Sequence, residues 1–80
     1  MIDFEKYLEQ LREYPQVDNL FEDEVNQMWV AELTTGEEMQ FQYMWNGKIK
    51  VTAIVLDKVD AWFSEGNWLQ DITKATELGQ

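Results

Sequence analysis

Carboxylates are the one class of chemically able side chain that this chain holds in quantity. Its 80 residues include sixteen Asp and Glu against six Lys and Arg, with no His and no Cys. Catalysis needs an activated nucleophile, a tuned acid or base, or a metal. The one serine, Ser64, has no histidine to activate it. There is no Gly-rich phosphate loop and no zinc ligand set. Carboxylate pairs can hydrolyse glycosides, but the spacing of these acids places most of them on outer faces or turns. The expectation is a protein that is not an enzyme and holds no cofactor and no metal.

Two groups of acids have a spacing of their own. Glu5, Glu9 and Glu13 stand at i, i+4 and i+8, which on a helix turning about 100° per residue makes one row. Glu22, Asp23 and Glu24 are consecutive, so on a regular backbone they cannot all point one way. That run lacks the Gly and the alternating Asp/Asn of a calcium loop and reads as an exposed acidic knuckle.

The elements that must carry these groups follow from periodicity. Asp3 suits an N-cap, and Phe4, Tyr7, Leu8, Leu11 and Tyr14 form an apolar stripe opposite the glutamate row. Pro15 disfavours a helical Tyr14 and ends that helix. Residues 16–26 read as a connection, with a short helical turn capped by Asp18 and with Val17, Leu20, Phe21 and Val25 as anchors. Residues 27–34 and 38–45 alternate as strands around a Thr35-Gly36-Glu37 turn. That turn is expected to pair Leu33 with Met39, Ala31 with Phe41 and Trp29 with Tyr43.

The stretch 38–56 is a hairpin whose register can be argued. A two-residue Asn46-Gly47 loop would put the apolar set of one strand beside the polar set of the other. A three-residue loop, Trp45-Asn46-Gly47 with Gly47 left-handed, sets Tyr43 opposite Ile49, Phe41 opposite Val51 and Met39 opposite Ala53. Since a slip of one residue flips every side chain, the second register is expected, with Met44 and Trp45 at the tip. Glu32, Gln40, Gln42, Lys50 and Thr52 then share the opposite, polar face.

Asp57 resembles an N-cap with Asp60 in a capping-box-like position. Val59, Trp62 and Phe63 then suit a short helix ending at Gly66, and Asn67 caps a last helix with Leu69, Ile72, Ala75 and Leu78 inward. The expected fold is α+β: a three-stranded antiparallel meander, one face covered by helices, in the order α-β-β-β-α-α, as a single domain over residues 1–80.

Charge bounds the partner. The formal net charge is −10, with eleven acids and two bases in residues 1–40 but five and four in residues 41–80. Such a field opposes direct contact with nucleic acid or an anionic membrane and favours a basic protein; it also keeps a small protein dispersed. The absence of cysteine, of a basic-then-apolar leader and of an apolar run near 18 residues suits a cytoplasmic setting. In size, charge and lack of catalytic groups the chain is similar in type to small acidic inhibitors of nucleases and of restriction or CRISPR-type defence components, although no motif matches one of them.

The expected function is therefore an inhibitor or decoy for the basic nucleic-acid-binding surface of a partner protein. Glu5, Glu9, Glu13, Glu22, Asp23 and Glu24 would stand in for phosphates, with Met44 and Trp45 as the desolvated anchor. The alternative is a structural or regulatory protein–protein interaction module that uses a sheet edge and the Trp45 loop.

Overall fold

The chain is described from Ile2 to Gln80 by a computed structural model. Helix α1, Phe4–Glu13, begins where Asp3 accepts a hydrogen bond from the Lys6 N–H at 3.1 Å, and it stops at Tyr14, which is extended ahead of Pro15. Tyr7, Leu8 and Leu11 are its buried residues, as the stripe requires.

Five strands follow: β1 (Val17–Asp23), β2 (Met28–Leu33), β3 (Glu38–Tyr43), β4 (Ile49–Val55) and β5 (Lys58–Ser64), paired antiparallel in chain order. Helix α2, Trp68–Leu78, completes the α+β fold. The meander thus has five strands rather than three, and the order is α-β-β-β-β-β-α rather than α-β-β-β-α-α.

Both extra strands were hidden for physical reasons. In β1, Val17 faces Leu33 and Asn19 faces Glu32, so Asp18 is an extra residue, a bulge. The bulge puts the inward residues Val17 and Leu20 three apart, which breaks the two-residue period. The expected helical turn capped by Asp18 is absent. In β5, Val59, Trp62 and Phe63 also satisfy helical spacing, and Asp57 also suits a cap. The chain instead turns through Leu56 and Asp57 and pairs Val55 with Lys58. Trp62 and Ser64 then lie opposite Val51 and Ile49, while Phe63 falls beside Lys50 on the other face and is 53% exposed. Phe63 is not a core residue.

The central hairpin has the register derived from its pattern, with Tyr43 opposite Ile49, Phe41 opposite Val51 and Met39 opposite Ala53. The Gly47 N–H donates to the Met44 carbonyl at 2.9 Å, the Met44 N–H donates to the Lys48 carbonyl at 2.7 Å, and Gly47 has φ +81°. This is a type I turn followed by a left-handed residue. The β2–β3 pairing differs by two residues from expectation, with Ala31 opposite Met39 and Trp29 opposite Phe41. The loop is tighter than expected: the Leu33 N–H donates to the Glu37 carbonyl at 2.9 Å around Thr34-Thr35-Gly36, and Gly36 has φ +103°. A shift of two keeps every side chain on its face.

Both helices cover the same sheet face. Tyr7, Leu8 and Leu11 of α1 and Ile72 and Ala75 of α2 join Ala31, Leu33, Met39, Phe41, Ile49, Val51 and Ala53 in one buried cluster. Asn67 caps α2 by accepting from the Gln70 N–H at 3.2 Å. Leu69 is exposed, and Trp68 packs on the core instead, edge-on to Tyr14 with ring centroids 5.0 Å apart. The other sheet face is uncovered. Glu32, Gln40, Gln42, Lys50 and Thr52 lie on it, flanked by Phe21, Met28 and Val30 toward β1 and by Val59, Ala61 and Phe63 toward β5. Among the described residues no helix is long and apolar enough to cross a membrane.

Candidate interaction surface

The glutamate row is real in geometry. Glu5, Glu9 and Glu13 all lie on α1 and all are exposed, because the stripe opposite them is spent on the sheet. Glu5 and Glu9 line a shallow depression with Leu8, Arg12 and Trp29. The Arg12 guanidinium carbon stands 6.0 Å from the Trp29 ring centroid, the separation at which a cation interacts with an indole face. Arg12 therefore lies at the flank of the row and is engaged by the tryptophan.

The 22–24 run splits, as three consecutive residues must. Glu22 is opposite Trp29, on the helix-covered side, whereas Asp23 is opposite Met28 on the uncovered side. Asp23 has a structural task there. Its carboxylate accepts the Asn26 N–H at 3.2 Å and the Asn26 amide at 2.8 Å, closing the β1–β2 turn. The side-chain and then the backbone hydrogen bond from Asn26 hold its carboxyl below the usual aspartate value. Glu22 and Glu24 line a second depression with Phe4, Gln27, Met28, Trp29, Phe41 and Tyr43.

Trp29 is thus the common wall of two depressions, with Glu5 and Glu9 in one and Glu22 and Glu24 in the other. Four of the six candidate carboxylates gather around one half-buried indole. Glu13 lies further along α1, and Asp23 turns away. Trp29 also packs against the buried cluster of the covered face, half-buried itself. Its position opposite Glu22 was the available signal, and it becomes legible once β1 is recognised as a strand.

The hairpin tip lies at the same end of the sheet as the β1–β2 turn, since alternate connections of a meander fall together. Trp45 there is 93% exposed and Met44 is half-buried. Phe4 stacks on Tyr43 with ring centroids 5.2 Å apart, and the Tyr43 hydroxyl donates to the Ile2 carbonyl at 3.3 Å, which ties the start of α1 to the tip end of this hairpin.

No described protein family, curated protein or solved structure matches this chain.

One buried polar cluster was not visible in the sequence. Asp71 on α2 is 2% exposed. It accepts hydrogen bonds from the Tyr7 hydroxyl at 2.6 Å, from the Trp62 indole N–H at 2.9 Å and from the Ser64 hydroxyl. Ser64 also accepts the Gly66 N–H at 3.0 Å. Burial, and then the Asp71 charge, raise the Tyr7 phenol far above its ordinary value of 10.0. With three donors from the chain itself, the carboxylate is fully engaged; it joins α1, β5 and α2. Burial of a charge is tolerated only when its oxygens are satisfied in this way. Among the described residues no group of three or more acidic side chains is arranged to hold a metal ion.

Proposed function

We propose that this protein is an acidic decoy that binds the basic, nucleic-acid-binding surface of a partner protein, such as a nuclease or a restriction or CRISPR-type defence component, and competes with nucleic acid there. The observation that carries the proposal is the gathering of Glu5, Glu9, Glu22 and Glu24 around Trp29. A helix rises about 1.5 Å per residue, so the α1 carboxylates recur roughly every 6 Å. Two phosphate steps along one DNA strand advance about 6.8 Å, so the two rows match in scale. The field of a −10 chain would speed encounter with a cationic groove, and an exposed Trp45 supplies the apolar contact that charge alone lacks.

The test is capture from lysate of the source organism or its host at low salt, followed by a stepwise salt wash and competition with free DNA. The expected partner is a basic nucleic-acid-binding protein that elutes as salt rises and is displaced by DNA. Replacing Glu5, Glu9 and Glu13 with Gln, and separately Glu22 and Glu24, should each weaken its capture while leaving thermal stability in place. Asp23 is excluded from the second set because it closes a turn. Retention of the partner by both variants would refute this surface.

A second reading, a non-catalytic interaction module acting through a sheet edge, is favoured by one observation. Strand β5 is an edge strand paired without a bulge over its whole length, beside exposed Val59 and Phe63. A partner bound there would stay through the salt wash and ignore DNA.

A further inference from the structure

The two edges of the sheet are not alike. β1 carries a bulge at Asp18 and the acids Asp18, Glu22 and Asp23, devices that discourage pairing. β5 pairs with β4 residue for residue from Lys58 to Ser64 and has neither bulge nor proline. Its outer side is defined by one hydrogen bond. The Ala61 N–H donates not to β4 but to the Asp60 carboxylate at 2.9 Å. Ala61 therefore presents its backbone outward, and by the alternation of an antiparallel ladder so do Val59 and Phe63.

We infer that this edge pairs with the β5 edge of a second copy of the chain, antiparallel about a two-fold axis at Ala61. In that register Val59 of each copy meets Phe63 of the other and Ala61 meets Ala61. These are the three outward-facing residues, so every pair exchanges two backbone hydrogen bonds. Lys58 falls opposite Ser64 and Asp60 opposite Trp62, so no like charges are opposed within the strand. A shift of two residues either way would oppose Asp60 to Asp60 or Trp62 to Trp62. The exposed Val59 and Phe63, 64% and 53% accessible, become cross-strand apolar pairs.

Charge selects a second copy at this edge in particular. Residues 48–64 hold three lysines and two aspartates, a local charge of +1, whereas the remainder of the chain sums to −11. The β4–β5 side is the approach along which two such chains repel least. Asp60 sets the strength of the contact, because pairing must displace its carboxylate from the Ala61 N–H. The device is independent of the decoy reading, and its salt dependence has the opposite sign. Screening weakens binding to a basic partner but strengthens association of two −10 chains.

Sedimentation velocity over a range of protein concentrations, at low and at 0.5 M salt, tests the inference on the full chain. Dimer is expected to increase with salt. Asp60→Ala, which frees the outward N–H, should tighten the dimer about tenfold, and Ala61→Pro, which removes that N–H without taking a bond from β4, should weaken it at least tenfold. Hydrogen-bonded partners across an antiparallel pair lie about 5.5 Å apart at Cα, within disulfide reach. Since the native chain has no cysteine, Ala61→Cys should form a covalent dimer under mild oxidation many times faster than Gln70→Cys on exposed α2. The readout survives even if the proline variant fails to fold. A monomeric Asp60→Ala protein at high salt, or equal cross-linking at positions 61 and 70, would overturn the inference, as would a wild-type dimer that folded Ala61→Pro leaves intact.

Discussion

Removing one oxygen from Tyr7 isolates what the buried cluster contributes. In Tyr7→Phe the ring stays, and with it the edge-on packing against Phe41, whose centroid is 5.6 Å away. What is lost is the hydroxyl that donates to Asp71 at 2.6 Å, leaving the carboxylate with Trp62 and Ser64. A hydrogen bond to a charged group contributes about 1.5–3 kcal/mol, and the acceptor here cannot recover its partner from water because it is buried. An expected cost of about 2 kcal/mol corresponds to a fall in Tm of roughly 8–16 °C for a domain of this size. The assay is urea unfolding followed by tryptophan fluorescence, with an unchanged m-value as the condition for reading the shift as stability. A cost below about 0.5 kcal/mol at constant m would refute the view that Asp71 depends on its three donors.

The same tyrosine dictates a pH response. Its phenol is held protonated in the folded chain, so above pH 10, the ordinary value, the unfolded state binds fewer protons than the folded one and stability falls as pH rises, by up to about 1.4 kcal/mol per unit; Tyr7→Phe should remove its share of that slope in unfolding curves between pH 9 and 11. Leu56, 94% exposed with φ +54°, occupies a conformation that Asn tolerates better, and Leu56→Asn should raise stability by up to about 1 kcal/mol; a lower Tm would show that the leucine packs in a way its exposure conceals. Gly47→Ala, at φ +81°, should cost roughly 1–2 kcal/mol in the same unfolding assay, and an unchanged stability would contradict the left-handed residue on which the hairpin register depends.

What could be read in advance was whatever local chemistry decides alone. Asp3 and Pro15 bound α1, Asn67 opens α2, and the alternation of residues 38–55 around Gly47 determines a register to the residue. What escaped was decided by neighbours. β1 carries only a broken period because Asp18 is inserted in it, and it is a strand because β2 offers an edge. β5 contains an apolar set that fits a helix equally well, and pairing with β4 makes the choice. The candidate surface followed suit. The exposure of Glu5, Glu9 and Glu13 was legible from one helix, but the meeting of two carboxylate groups at Trp29 needed β1. Asp71 stood in the sequence as one more acid, since its burial depends on Tyr7 from α1 and on Trp62 and Ser64 from β5.

The bond between Tyr7 and Asp71 spans 64 positions of chain, whereas every strand in the sheet pairs with its immediate successor. During synthesis the meander can therefore grow hairpin by hairpin as it leaves the ribosome, but its covered face cannot be sealed until Asp71 and the rest of α2 have emerged. Helix α1 waits for α2. Contacts that close so long a loop are made late, after the local ladder has met most of its entropic cost. We expect Tyr7→Phe to accelerate unfolding while leaving the folding rate almost unchanged. A folding arm slowed in proportion to the lost stability in a chevron measurement would show instead that α1 and α2 meet first.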